Sequence, residues 1–379
     1  MSSLLLRFSS KSSLHKLALR CNTFRMFSSS TTNPFLLHHA IPCGEEAQRT
    51  ESLMLDPAKE DYFTTVDKPL PKNLIKSKLV GSSHGWGVYL SSPDYILISN
   101  YPSRSKSNPK IIDLPPRPSL NGSQTELVSG VAMSSSPEEE ECIIAVKYMG
   151  RPVSIYTPGQ DSQGFLLAMS TRLFDYFEQS KLMYSKRDQR FYMPSSGGHH
   201  LWSWVGLPST TPQYHELNFS ILVTGHTSLW SLLQDNVSYS NGTRFHVRVV
   251  CLLLRFHVIT CSFFLALLGR YVESPANKSL VFNCGGTKRF MVFREEEDMN
   301  MCYTEDIGDL CIFLGNNEPF CVKASSFPGL NPNSIYFLGE GYGVYDIATR
   351  SPRSFTPKST PSSSSEQIVL PYWIPPMSL

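Results

Sequence analysis

Charge is what this chain has least of. Lys, Arg, Asp and Glu make up only 17% of its 379 residues, below the ~25% usual for globular chains. With 34 basic against 32 acidic side chains the formal net charge is +2, which excludes a strongly basic nucleic-acid clamp and an acidic tail. The nine cysteines contain no C-x-x-C pair, so neither a disulfide framework nor a structural zinc ribbon is supported. No Ser-centred G-x-S-x-G motif is expected, and hydrolase chemistry has no foothold. Long amphipathic repeats are missing as well. What stands in their place is 27 Pro, 23 Gly and 12% aromatics, the composition of many turns around an aromatic-rich β core.

The first acidic residue is Glu45, and Arg7, Lys11, Lys16, Arg20 and Arg25 precede it among many serines. That is the composition of an organelle transit peptide, and no unbroken apolar run of secretory type accompanies it. Leu4, Leu5, Phe8, Leu14, Leu17 and Leu19 can share an apolar face opposite Arg7, Lys11 and Arg20, as a basic amphipathic helix on an anionic membrane would. Arg25-Met26-Phe27-Ser28 resembles a matrix-processing site, so cleavage is expected between Phe27 and Ser28. Mitochondrial import is the expected route and chloroplast import its competitor. The N-glycosylation triplets that begin at Asn121, Asn218, Asn236, Asn241 and Asn277 are then taken as chance.

Residues 28–70 read as a Pro/Ser-rich linker, 71–350 as the folded domain and 351–379 as a Pro/Ser-rich tail. Inside the domain, short strand-like runs alternate with turn residues. Trp86 to Leu90 and Tyr95 to Ser99 flank Ser91-Ser92-Pro93-Asp94, and Cys142 to Tyr148 and Val153 to Tyr156 flank Gly150-Arg151-Pro152. Leu182 to Tyr184 with Phe191 to Met193, and Ser334 to Leu338 with Gly343 to Ile347, repeat the pattern. Only Ser228 to Asp235 spaces its apolar residues as a helix would. Repeated short hairpins over ~300 residues point to a β-propeller or a large β-sandwich, and at the ~40–50 residues of a blade they give six or seven blades.

One stretch differs from its surroundings. Within residues 236–270, read as an apolar insertion, apolar residues dominate from Arg244 to Arg270 and no acidic residue occurs there. Arg255 and His257 near its middle count against a membrane helix, because an arginine at the bilayer centre costs on the order of 2.5–3.5 kcal/mol. No stable membrane span is expected. The stretch shows neither strand alternation nor a helix cap, and translation of a retained intron is the expected explanation; transcript reads across the region would decide it.

Four blocks together resemble a known family. They are Ser82 to Trp86 (SSHGW), Leu182 to Trp204, Met291 to Gly315 and Asn333 to Thr349. They are similar to the plant domain-of-unknown-function 295 family, most of all to its organellar branch, over about residues 60 to 350. The resemblance implies a KIB-type β-propeller of kelch-like character, and no catalytic residue comes with it. Relatives outside that branch carry an F-box and act as ubiquitin-ligase substrate receptors. No F-box pattern stands in the first hundred residues here.

The remaining candidates are weighed one by one. His199 and His200, with Trp202 and Trp204 after them, form a candidate interaction surface at a loop tip. Adjacent histidines point to opposite faces of a strand and so make poor metal chelators. Glu295 to Asp298, Glu305, Asp306 and Asp309 lack the spacing of a calcium loop. Gly339, Gly341 and Gly343 belong to a hairpin turn, there being no helix after them to meet a phosphate. Cys302, Cys311 and Cys321 have no activating base beside them and are expected as inert thiols. Trp86, Tyr89, Trp202, Trp204 and Trp230 either line a recognition surface or pack between blades, and packing is the expectation. Lys181, Lys186, Arg187 and Arg190 make a modestly basic region, too thin for RNA. The chain is therefore expected to be an all-β propeller that binds a protein partner without catalysis. No cofactor, metal or DNA enters this reading. The alternatives are an enzyme with its site in the propeller channel and an F-box-less ubiquitin receptor.

Overall fold

In a computed structural model the chain is built almost wholly of strands. The structure describes residues 33–43, 49–67, 71–74, 77–92, 95–101, 109–115, 128–148, 153–159, 165–167, 177, 180–186, 188–195, 200–205, 212–220, 245–258, 261–272, 289–295, 300–315, 317–339, 341–355 and 371–376. The first sheet is opened by β1 (Phe35–Cys43), β2 (Arg49–Asp56) and β3 (Asp61–Asp67). The second runs through β4 (Lys78–Ser83), β5 (Trp86–Ser92), β6 (Tyr95–Ser99) and β7 (Ile111–Asp113). The third holds β8 (Val128–Met133), β9 (Ile144–Tyr148), β10 (Val153–Tyr156) and β11 (Phe165–Leu167), and the fourth β12 (Met183–Ser185), β13 (Arg190–Pro194), β14 (His200–Trp204) and β15 (Gln213–Glu216). The fifth joins β16 (Asn218–Ser220), β17 (Phe245–Val258), β18 (Cys261–Val272), β19 (Arg289–Glu295) and β20 (Asn300–Thr304). The sixth joins β21 (Leu310–Leu314), β22 (Phe320–Lys323), β23 (Ser334–Gly339), β24 (Gly341–Asp346) and β25 (Ser351–Ser354), after which β26 (Tyr372–Ile374) returns to pair with β1 in the first sheet.

The architecture is the all-β propeller expected. Five of these sheets are complete blades without any residue of the 236–270 stretch, against the six or seven expected from length. Dividing length by a typical blade counted that stretch, and the loops around it, as ordinary blade material. The stretch itself supplies β17 and most of β18, a long antiparallel hairpin that continues through β19 into the fifth sheet. Its residues are thus extended, not helical, and among the described residues no helix is long and apolar enough to cross a membrane. A continuous apolar run hides a strand from an alternation test.

Two further boundaries are corrected. β1 to β3 lie inside residues 28–70, where a linker was expected, and β25 and β26 lie inside the expected tail 351–379. The last strand closes the ring by joining the C-terminal end of the chain to the first sheet. Trp373 is fully buried there. Its indole N–H donates to the Leu314 carbonyl at 3.0 Å, its backbone N–H donates to Asn317 Oδ1 at 3.1 Å, and its ring meets the Phe313 ring edge-on at 5.1 Å. The transit-peptide residues, Phe27 and Ser28 among them, and the helix expected at 228–235 lie outside the described residues.

The core is a series of seams between neighbouring sheets, and single strands serve two seams at once. On β9, Ile144, Val146 and Tyr148 join Trp86, Val88 and Ile98 in the seam between the second and third sheets, while Ala145 faces Phe191, Trp202 and Trp204 of the fourth. On β21, Cys311 and Phe313 meet Leu36, Leu55 and Trp373, while Leu310, Ile312 and Leu314 meet Phe290 and Val292 of the fifth sheet. Side chains alternate faces along a strand, so a strand covered on both sides reads as one apolar run. At Gly343 on β24 a Cβ would stand 2.3 Å from the Arg353 carbonyl of β25, which is why no larger residue is found there.

Candidate functional site

Strands β4 and β5 are joined by a two-residue turn, His84-Gly85, between the paired residues Ser83 and Trp86. Both turn residues have positive φ, 51° for His84 and 76° for Gly85, the left-handed pair that matches a tight turn to strand twist. Glycine takes that conformation without cost, and histidine is among the few other residues enriched in it. The turn therefore fixes the His84 ring beside the Ser83 hydroxyl, whose Oγ lies 2.9 Å from His84 Nδ1.

Glu318 reaches this turn from the sixth sheet, 235 residues further along the chain, and its carboxylate Oε2 accepts a hydrogen bond from Ser83 Oγ. Its other oxygen accepts from the Tyr184 N–H of the fourth sheet at 2.9 Å, and its backbone N–H donates to the Ser82 carbonyl at 2.9 Å. From the third sheet the Met133 N–H donates to Ser83 Oγ at 3.2 Å. Four sheets thus converge on one carboxyl, as they can only at the central channel of a propeller. A cavity of about 370 Å³ opens beside it, lined by the polar Ser82, Ser83, His84, Asn317 and Lys186 and by Met183, Pro319, Phe320 and Cys321.

Burial pushes the Glu318 carboxyl from 4.5 up to about 7, against the opposing pull of the Ser83 and Tyr184 hydrogen bonds and the Lys186 charge. Burial also drives His84 from 6.5 down to about 4, helped by Lys186 and opposed by Glu139. His84 is therefore neutral at pH 7 while Glu318 stands near its midpoint. Ser83 has one proton to give. When Glu318 is ionised that proton goes to the carboxylate, and His84 must present Nδ1–H to Ser83, leaving Nε2 as an acceptor. When Glu318 is protonated it donates to Ser83, Ser83 donates to Nδ1, and Nε2 carries the ring proton.

Gly81-Ser82-Ser83-His84-Gly85 also fits the G-x-S-x-G spacing, a correction to the expectation that no such motif is present. The elbow chemistry requires a strand, a sharp turn and a helix. Here the motif runs from β4 through the turn into β5. Ser83 sits between Glu318 and His84, where an activated serine would need the histidine between itself and the carboxylate.

The residues of the expected interaction surface do not stand together on a surface. Trp202 and Trp204 are 5% and 0% exposed, packed in the seam between the third and fourth sheets, so they are removed from any surface. Trp86 and Tyr89 are buried as well, as expected for blade packing. His200 is half-buried at the start of β14 and His199 lies outside the described residues. His200 packs at 4.9 Å on the ring of Tyr214 of β15, which is 42% exposed. The acidic residues serve turns: Glu305 pairs with Arg350, and Asp309 accepts from Ser325. Cys311 is buried, its thiol pushed up to about 12 by burial, and burial also raises Cys321, as inert thiols require.

The model of the KIB1-4 β-propeller family matches residues 54–346. The chain belongs to this family. No curated protein sequence matches it. Among solved structures, a candidate 6-phosphogluconolactonase from Bacteroides uniformis is similar at 8% identity, with 89% of this chain and 97% of that one covered and a TM-score of 0.28. A complex of the fission yeast SREBP-SCAP binding domains is similar at 10% identity, with 96% and 100% covered and a TM-score of 0.29. At these TM-scores neither enters the functional reading. In this KIB1-4 propeller the residues that sequence reasoning missed as a site, Ser83, His84 and Glu318, had one signal between them: Ser83 and His84 stand in the SSHGW block, while Glu318 carried none.

Proposed function

We propose that this KIB1-4 propeller is a non-catalytic protein-interaction scaffold, imported into mitochondria and trimmed there between Phe27 and Ser28. The observation that carries the scaffold reading is the outer edge of the fourth sheet. Strand β15 is exposed at Gln213, Tyr214 and Glu216, and Val205, just past β14, is 41% exposed beside it. An edge strand with an aromatic and an aliphatic side chain open to solvent suits a partner that adds a strand or seats an apolar side chain. The acid-free, Arg-bearing N-terminus supports the address.

The test joins both parts. The full chain with a C-terminal fluorescent protein is expected in mitochondria, and a version lacking residues 1 to 30 in the cytosol. Proximity labelling with the full chain is expected to mark a partner that the Tyr214→Lys variant no longer marks. If both fusions stay in cytosol or nucleus the address is wrong, and the F-box-less ubiquitin receptor takes its place.

A second reading, an enzyme acting at the channel, has one observation in its favour. A carboxyl shifted to about 7 beside a neutral histidine at a channel mouth is the kind of perturbed pair found at catalytic sites.

A further inference from the structure

We propose that the cavity at the channel mouth binds a small monocarboxylic acid with a compact apolar body, its acid group on Lys186 and His84 and its body against Met183, Pro319 and Phe320. This goes beyond the scaffold reading and does not depend on it. At about 370 Å³ the cavity stands at the small end of the ~300–1,000 Å³ range of ligand sites. Most of its polar wall is already committed. Asn317 accepts from the Trp373 N–H and donates to the Glu318 carbonyl, and Ser83 is shared between Glu318, Met133 and His84. Among the described residues, the Lys186 ammonium makes no ion pair and His84 Nε2 no hydrogen bond. These are the two groups left to a ligand.

Among the described residues the lining holds one permanent cation, Lys186, and one cation asks for one negative charge. A dianion such as phosphate would meet a single ammonium and stand close to the Glu318 carboxyl, whereas a monocarboxylate balances Lys186 and finds one more donor in His84. The rest of the lining includes Met183, Pro319, Phe320 and Cys321, which offer no charge, so the rest of the ligand is apolar. The groups that face Glu318 are His84 from the β4–β5 turn, Tyr184 and Lys186 from β12 and the turn after it, and Cys321 from β22; Glu139 acts on His84. Burial raises both Cys321 and Tyr184, which stay neutral. Glu318 alone changes state near neutrality, and its protonation passes through Ser83 to place a proton on His84 Nε2. Protonated Glu318 therefore supplies the second donor and removes a competing charge, so the acid binds with uptake of a proton.

The test is titration calorimetry of the full chain with 3-phenylpropanoate at pH 6 and pH 8, with 3-phenylpropanamide as the neutral control. Binding of the acid is expected at pH 6, weaker by about tenfold at pH 8, and the amide is expected weaker than the acid by about tenfold. Lys186→Met should lose about tenfold in affinity at pH 6 while keeping its unfolding midpoint, since Lys186 stands on an exposed turn; Lys186→Gln gives the same reading in a second background. Glu318→Gln, whose amide donates to Ser83 as the protonated acid does, should keep binding and lose its pH dependence. Absence of heat at pH 6 with millimolar acid, equal binding of acid and amide, or an unchanged affinity in both lysine variants would overturn the proposal.

Discussion

The seam that closes the ring and the mouth of the channel are both made by one residue reaching across sheets, and they do it with opposite chemistry. At the seam Trp373 fills an apolar gap between the first and sixth sheets and satisfies its indole N–H on Leu314. At the mouth Glu318 brings a carboxyl under the β4–β5 turn and satisfies it with Ser83 and the Tyr184 N–H. The first contact is strong and indifferent to pH; the second costs desolvation and answers to pH. The ring is thus closed by buried area at the one contact and tuned by charge at the other.

The seam gives the largest effect. Trp373→Ala is expected to destabilise the fold by about 3–5 kcal/mol, the range for losing a buried aromatic side chain. Denaturant midpoints measured from pH 5 to pH 8 should fall by the same amount at every pH. A loss that grows or shrinks with pH would mean that the seam and the mouth are not separable.

The mouth gives the next. In the fold Glu318 keeps its proton up to about 7, while an unfolded glutamate releases it near 4.5. Between those values the fold binds the extra proton, so this group's contribution falls as pH rises. His84 acts in the opposite sense, because the unfolded imidazole takes a proton below 6.5 and the folded one refuses it until about 4. From pH 4.5 to 6.5 the two slopes, each at most about 1.4 kcal/mol per pH unit, oppose one another and the wild type is nearly flat. Glu318→Gln should expose the histidine and gain stability as pH rises from 4 to 6.5. His84→Asn, the residue that best tolerates the left-handed turn, should expose the carboxyl and lose stability from pH 4.5 to 7. Two variants with parallel profiles would show that the pair does not titrate against itself.

The same contrast separates what was legible in the sequence from what was not. Hairpins such as Trp86 to Leu90 with Tyr95 to Ser99, and Ser334 to Leu338 with Gly343 to Ile347, announced themselves because covered strands are short apolar runs cut by turn residues. Trp202 and Trp204 were read both as blade packing and as surface, and burial on two sides decides for packing. β1 to β3 and β26 lie where linker and tail are expected: β1 and β26 pair across almost the whole chain with nothing local to mark it, while β1, β2 and β3 also pair locally without the short Pro/Gly-cut pattern of the other hairpins. Glu318 is the extreme case. Its meaning comes from Ser83 across 235 residues, and a lone Glu between Asn and Pro carries no period or spacing to betray it. His84 stands in the SSHGW block and in a G-x-S-x-G spacing, but neither marks the distant carboxyl of Glu318.

The smallest effect on stability belongs to neither contact but to the outer edge of the fourth sheet, where a side chain faces solvent instead of another sheet. Tyr214 is 42% exposed and rests on His200, so Tyr214→Ala should move the unfolding free energy by no more than about 0.5 kcal/mol. Its cost should appear elsewhere, as loss of the partner marked by the full chain, because exposed Tyr contributes to interfaces far more than to the fold that carries it. A Tyr214→Ala chain that is destabilised as much as Trp373→Ala would place β15 among the seams and take away the surface on which the scaffold reading stands.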